Sequence, residues 1–224
     1  MRIYPSLLAF DLLELRSQVE TISELGVAEF HLDVMDGQFV PNLTFGAGLA
    51  KAVSRATDLP INAHLMVYTP ELLFAQLKNA GVSKVYVHPE ATPHIHRVLS
   101  LAADIGLAPA IAINPGTPLT VIEPVIDLID YVVLMTVEPG YAGQKFMTSS
   151  LPRLSELVTL REKNERDFLI SIDGGVDYPN AVECAKRGAE VYVTGIYTVF
   201  TQPEGITEAC KKFNRTMREA ITES

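Results

Sequence analysis

Cysteine is scarce: Cys184 and Cys210 stand far apart, without Cys-x-x-Cys spacing. That excludes a disulfide scaffold and a cysteine zinc site, and it predicts a reducing, cytoplasmic setting. Basic charge is also short, with 18 Lys and Arg against 27 Asp and Glu and a formal net charge of −9. A nucleic-acid binder would carry a basic patch, so that class of partner is set aside. An anionic small ligand is still allowed, because backbone amides at helix N-termini hold phosphate without Lys or Arg. No apolar run approaches the ~18 residues of a membrane span, so no membrane partner is predicted. The short apolar stretch from Leu7 to Phe10 is cut by Asp11 and lacks a small-residue cleavage site, so no signal peptide is predicted. Linkers rich in Ser and Gly, low-complexity segments and shifts of composition are missing too, which predicts one domain over residues 1–224.

What the chain does contain is alternation. Short β-branched or apolar runs occupy residues 3–9, 29–35, 61–67, 84–88, 108–114, 131–137, 168–173 and 190–194. Helical patterns lie between them, at 12–25, 46–56, 70–80, 93–106, 118–128, 149–164, 178–188 and 203–221. In the first of these, Leu12, Leu15, Val19, Ile22 and Leu25 form one apolar stripe. Several open on Pro, and Leu25, Ala80, Ile105 and Arg187 are each followed by Gly, the expected helix boundaries. Alternating β and α implies a parallel sheet, and eight such units predict a single (β/α)8 TIM barrel, slightly under the usual ~250 residues. A doubly wound open sheet would place a Gly-rich turn after the first strand, but Ala9-Phe10-Asp11-Leu12 has no Gly.

Chemistry in such a barrel sits at the C-terminal ends of the strands. The second strand reads Phe30-His31-Leu32-Asp33-Val34-Met35-Asp36-Gly37. Side chains alternate along a strand, so if Leu32 and Val34 pack under the helices, His31 and Asp33 face the barrel interior. The third strand ends His64-Leu65-Met66 and the seventh ends Ile172-Asp173-Gly174-Gly175-Val176. Taken singly, an interior His is ordinarily a hydrogen-bonded core residue, and Asp36-Gly37 reads as a turn. Taken together, two His and two Asp at one mouth would cost several kcal/mol unless neutralised. A divalent cation neutralises them, and two imidazoles with two carboxylates suit zinc, iron, manganese or cobalt. His94 and His96 fall at a helix start and are expected in solvent, while His88, beside Pro89 and Glu90, reads as a rim residue.

Glycine marks three successive loops: Pro139-Gly140-Tyr141-Ala142-Gly143-Gln144 after the sixth strand, Gly174-Gly175-Val176 after the seventh, and Gly195 after the eighth. Each could be plain turn chemistry. Loops after strands seven and eight of a barrel also commonly present amides to a phosphate.

The run His31-Leu32-Asp33-Val34-Met35-Asp36-Gly37-Gln38-Phe39-Val40-Pro41-Asn42 resembles the ribulose-phosphate 3-epimerase family, as do His64-Leu65-Met66-Val67, Met135-Thr136-Val137-Glu138 with the glycine loop, and Asp173-Gly174-Gly175-Val176. The likeness runs in order from Pro5-Ser6 to about Phe200. It implies one divalent metal ion on His31, Asp33, His64 and Asp173, with acid/base roles for Asp33 and Asp173. It implies sugar-phosphate contacts from Ser6, His64, Gly140, Tyr141, Ala142, Gly143, Asp173, Gly174, Gly175 and Val176, and a site lined by Met35, Met66 and Met135. It also implies an isomerase of the pentose phosphate pathway that assembles as a homo-oligomer. Two carboxylates suit the reaction, because inverting C3 of a ketose means removing a proton from one face and returning one to the other. A metal beside the substrate oxygens would stabilise the enediolate. Ile196 stands where the pentose enzymes have a serine donating to phosphate, so the amides near Gly175, Val176, Gly195 and Ile196 are expected to hold that group. Ile196 and Ala142 look more like the D-allulose-6-phosphate 3-epimerase branch, whereas Gly174-Gly175-Val176 looks like the pentose branch. The reading is therefore D-ribulose 5-phosphate to D-xylulose 5-phosphate, with D-allulose 6-phosphate to D-fructose 6-phosphate as the alternative. A barrel that binds a sugar phosphate without turning it over is opposed by the retention of all four ligands. A decarboxylase would want a Lys beside its strand-end Asp residues, and none occurs at 31–37 or 64–67.

Overall fold

Eight strands form one wholly parallel sheet in a computed structural model of the chain, which describes residues 1–222. They are β1 (Arg2–Pro5), β2 (Phe30–Met35), β3 (Ile61–Met66), β4 (Val82–Val87), β5 (Ala108–Ile113), β6 (Tyr131–Met135), β7 (Leu169–Asp173) and β8 (Val191–Thr194). Pairing runs from β2 through β3 to β8 and on to β1. The last seam is spanned by a parallel bridge between Ser6 and His31, so the sheet curls into a nearly closed (β/α)8 barrel, not an open one. Helices α1 (Leu15–Ser23), α2 (Ala47–Val53), α3 (Phe74–Asn79), α4 (Ile95–Asp104), α5 (Ser150–Lys163), α6 (Tyr178–Lys186) and α7 (Ile206–Thr222) occupy the connections. No helix among the described residues is long and apolar enough to cross a membrane.

The eighth connection, between β5 and β6, is not the α-helix that the pattern at 118–128 predicts. Leu119–Leu128 winds as tighter 3-10 turns, with Pro124 inside it. Proline has no amide hydrogen, and its ring crowds the preceding turn, so a regular α-helix cannot run through that position. The predicted first strand also ends early. Ser6 accepts a hydrogen bond from the Leu8 amide at 3.2 Å and caps a 3-10 turn over Leu7–Ala9, which swings the chain off the sheet. The helix expected over 70–80 splits into a 3-10 turn at Pro70–Leu73 and α3.

Alternation sorts the strands as expected. Leu32, Val34, Leu65, Val85, Ile111, Leu134 and Ile170 join Phe74, Leu99 and Leu157 in one buried layer between sheet and helices. Inside the ring, Tyr86, Ala110, Ala112, Val133 and Met135 form a second cluster. Parallel register sets Asp33 beside His64 and Met35 beside Met66, and it sets Met135 beside Asp173. Polar groups from different strands thus reach one level at the C-terminal mouth.

The opposite, closed end is polar too. Lys84 donates to both Glu29 oxygens at 2.9 and 3.1 Å, Tyr4 Oη donates to Glu29 Oε1 at 3.0 Å, and Asn62 Nδ2 donates to Glu29 Oε2 at 3.0 Å. The Lys84 ammonium also lies 3.3 Å from the centroid of the Tyr131 ring. Removing one partner of a buried pair strands the other charge and costs about 3–5 kcal/mol. Lys84→Met should therefore lower stability by that amount in denaturant titration; a midpoint within ~1 kcal/mol of wild type would show that the pair contributes nothing.

Candidate active site

Four side chains converge where β2, β3 and β7 reach the mouth. The distances from His31 Nε2 are 3.4 Å to Asp33 Oδ1 and 3.6 Å to Asp173 Oδ2, and those from His64 Nδ1 to the same two oxygens are 3.3 and 3.4 Å. All four donor atoms lie within 4.8 Å of one another. Atoms bound at about 2.1 Å to one tetrahedral ion lie roughly 3.4 Å apart, which is the spacing of these four contacts. His31 Nε2 is buried and has no hydrogen-bond partner, although it faces two carboxylates. An orphaned imidazole nitrogen among three other hard or borderline donors fits a divalent cation.

Each donor is held from behind. Ser6 Oγ donates to Asp33 Oδ2 at 2.6 Å, leaving Oδ1 for the cluster. The backbone of Asp33 is tied by Thr44 Oγ1, which donates to its carbonyl at 2.6 Å and accepts from the Met35 amide at 3.0 Å. The Thr136 amide and hydroxyl both donate to the Asp173 carbonyl at 2.8 Å. His31 Nδ1 lies 2.6 Å from Asn62 Oδ1, and His64 Nε2 lies 2.8 Å from His88 Nε2.

Charge dominates the protonation of the site. Burial alone would lower His31, but the negative charge of Asp33, with the Asp173 carboxylate beside it, lifts it to about 10. Burial likewise opposes ionisation of Asp33, yet the attraction of His31 keeps its carboxyl far below the usual range. Asp173 is lowered and His64 raised by the same pairing. Burial pushes His88 down to about 4, so it is a neutral imidazole.

Above the cluster opens a cavity of about 660 Å³, open solvent at its mouth included. It is lined by Ser6, Asp33, His64, Met35, Met66, Met135 and the segments 140–143, 173–176 and 195–196, every site residue expected from the sequence except His31, which lies beneath it. No Lys or Arg lines it. Leu8, Ala9, Val137, Pro139, Gln144, Val193, Thr194 and Tyr197 also line it without having been singled out. The β6–α5 loop roofs one side. Tyr141 Oη donates to the Pro41 carbonyl at 2.7 Å, Asn42 Nδ2 to the Gly140 carbonyl at 2.9 Å, and Tyr197 Oη to the Gly143 carbonyl. Gly175 has φ +63°, and a Cβ there would sit 2.4 Å from the Phe146 amide nitrogen, so the loop closes this near only over glycine.

Of the expectations about single residues, one turns out differently. Asp36-Gly37 is the predicted turn, with Asp36 accepting from the Gln38 and Phe39 amides at 2.8 Å and Gly37 at φ +73°. His88 is not a rim residue. It is fully buried, stacked on His64 with ring centroids 5.0 Å apart, because it follows Lys84 and Tyr86 on the inward face of β4 before the 3-10 turn at Pro89–Ala91. His94 and His96 are exposed, as expected. Asn62 was not foreseen; it sits two residues before His64 and directly across the register from His31.

With His31 titrating at about 10, the cation-free site carries an imidazolium at pH 8 that a cation must displace. Binding at pH 8 should release about one proton per site or more, and affinity should rise with pH until His31 is deprotonated. Calorimetry in buffers of different ionisation heat measures this; binding without proton release would show that His31 is already neutral.

Solved structures share the fold at low identity. A tryptophan synthase alpha-subunit from Pyrococcus furiosus superposes with a TM-score of 0.70 at 16% identity, covering 98% of this chain and 97% of that one. Thiamine phosphate pyrophosphorylase from the same organism does so with a TM-score of 0.66 at 15%, covering 98% and 96%. Sequence relatives are nearer. The Bacillus subtilis ribulose-phosphate 3-epimerase is 39% identical over 93% of this chain and 97% of its own length, and the Aquifex aeolicus one is 40% identical over 85% and 86%. The model of the ribulose-phosphate 3 epimerase family matches residues 2–200, and the chain belongs to that family.

Proposed function

We propose that the chain is a metal-dependent ketose-phosphate 3-epimerase that interconverts D-ribulose 5-phosphate and D-xylulose 5-phosphate. Two aspartates delivered by β2 and β7 to one cavity, each paired with the same two imidazoles, carry the reading. As a member of an epimerase family the chain is an isomerase acting on carbohydrates. His31, Asp33, His64 and Asp173 would hold the cation, which would supply positive charge to stabilise an enediolate.

The remaining steps fall to the protein. One aspartate, ionised, takes the C3 proton, and the C–H electron pair moves into the C2–C3 bond to give an enediolate. The other, protonated, delivers a proton to the opposite face of C3. The pair then holds its proton on the first aspartate, and exchange with solvent resets it. Giving these two roles to Asp33 and Asp173 is supported by their strands, which lie three steps apart round the ring by way of β1 and β8. Ser6 holds Asp33 through Oδ2. Met35, Met66 and Met135 supply a polarisable wall that keeps water from the enediolate. The phosphate is assigned to the amides of Gly175, Val176, Gly195 and Ile196, since the cavity contains no cationic side chain to receive it.

The D-allulose 6-phosphate reading rests on one observation: Ala142 and Ile196 both line the cavity, where they shape the phosphate end. A coupled assay with both ketose phosphates decides between them, with the higher kcat/KM expected for the pentulose. Failure to turn over either phosphate would overturn the epimerase reading.

Asp33→Asn and Asp173→Asn keep shape but cannot exchange protons, and each should reduce kcat by about 10²-fold or more. Metal content must be measured alongside. In deuterated water the wild type should place deuterium at C3 of product. A variant that retains its metal and epimerises at a near-normal rate would remove that aspartate from the proton path.

A further inference from the structure

Behind each candidate histidine ligand stands a second polar side chain that leads to a carboxylate, the buried Glu29 in one case and the solvent-accessible Glu90 in the other. Asn62 Nδ2 donates to Glu29 at 3.0 Å, which turns its amide oxygen toward His31 Nδ1, 2.6 Å away. An amide oxygen only accepts, so His31 Nδ1 must carry a hydrogen, and the unshared pair of the neutral ring is left on Nε2, the atom facing the cluster. Glu29 cannot turn away, because Lys84 and Tyr4 hold its oxygens.

His64 is set from the other side. Only one proton fits between His64 Nε2 and His88 Nε2, 2.8 Å apart. The other nitrogen of His88, Nδ1, faces Glu90 Oε2 at 3.6 Å, and Glu90 is anchored by the Asn114 amide at 3.2 Å and by the Thr117 hydroxyl. A carboxylate facing Nδ1 favours the tautomer with hydrogen there. His88 Nε2 is then an acceptor, His64 Nε2 a donor, and the His64 unshared pair lies on Nδ1, again the atom facing the cluster.

We infer that Asn62 and His88 are positioning residues: acting from the barrel floor and from the β4–α4 connection, they lock the tautomers of His31 and His64 so that Nε2 of one and Nδ1 of the other bind the cation. The inference rests on the metal reading above and adds the atoms that bind and the groups that set them. Loss of such a supporting partner ordinarily costs about 10–100-fold in metal affinity.

The test uses zinc as probe and needs no turnover. Zinc affinity is measured by chelator competition for wild type, Asn62→Leu, His88→Phe, and the acceptor-retaining Asn62→Asp and His88→Gln. Long-range proton–nitrogen spectra of the zinc-loaded proteins report which imidazole nitrogen carries hydrogen. Wild type should show hydrogen on His31 Nδ1 and His64 Nε2. The two apolar variants should lose at least about tenfold in affinity, and the acceptor-retaining ones should recover most of it with the wild-type pattern of protonated nitrogens. A smaller loss in both apolar variants, or hydrogen on the opposite nitrogens in wild type, overturns the inference while leaving the metal reading intact. A wild type that takes up no zinc, manganese, iron or cobalt overturns the metal reading and this inference with it.

Discussion

Two carboxylates forced together out of water are the constraint on which the site depends. Asp33 and Asp173 approach the same imidazoles within 3.3–3.6 Å and are almost wholly shielded from solvent. Neither could stay ionised there unopposed, since burial drives both toward the neutral form. Positive charge on the histidines, or a cation in their midst, is what allows both to persist. The same opposition makes the pair useful, because small changes in the surroundings move a proton from one to the other.

The barrel supplies that convergence at little cost to its own packing. Each strand spends alternate residues on the apolar layer under the helices, so the inward positions are free to be polar. Parallel register then puts Asp33 beside His64 and Met135 beside Asp173 at one height. One residue of slippage in β2 would turn His31 and Asp33 into the helix layer and Leu32 and Val34 into the site. The bridge from Ser6 to His31 closes the ring at the strand that carries two of the four donors, and Ser6 also ties down Asp33. Ring closure and side-chain placement are therefore served by the same residue.

Period-two alternation made His31, Asp33 and Met35 legible, as it did His64 with Met66, because a strand buried on both sides still has to sort its side chains. Glycine loops were legible for a similar reason: Gly175 approaches the Phe146 backbone too closely for any side chain. Asn62 carried a weaker signal. A polar residue mid-strand belongs to no motif, and its meaning lay in register with His31, a relation between strands that one strand cannot display. A His followed by Pro reads as a strand end in solvent, whereas the His88 ring faces inward and stacks on His64. The 3-10 segment at 119–128 was obscured differently: its apolar spacing is helical, and Pro124 decides the local winding without altering which residues are buried.

Electrostatics at larger scale make the same demand on the site. An acidic protein with a formal charge of −9 receives an anionic sugar phosphate into a cavity that no Lys or Arg lines. Attraction must come from inside. A divalent charge among Asp33 and Asp173 leaves the cluster formally neutral when both imidazoles are neutral, the state in which a ring nitrogen of each is free to bind a cation. Without it, two carboxylates would meet a phosphate and a developing enediolate, and like charges at that spacing oppose both binding and proton removal. On the proposed assignment, backbone amides near Gly175 and Ile196 would bring only partial charges, enough to orient a phosphate without drawing an enediolate away from the aspartates. A lysine there would bind phosphate more strongly, but its full charge would also compete for Asp33 and Asp173 and lower the proton affinity of the one proposed as the acid.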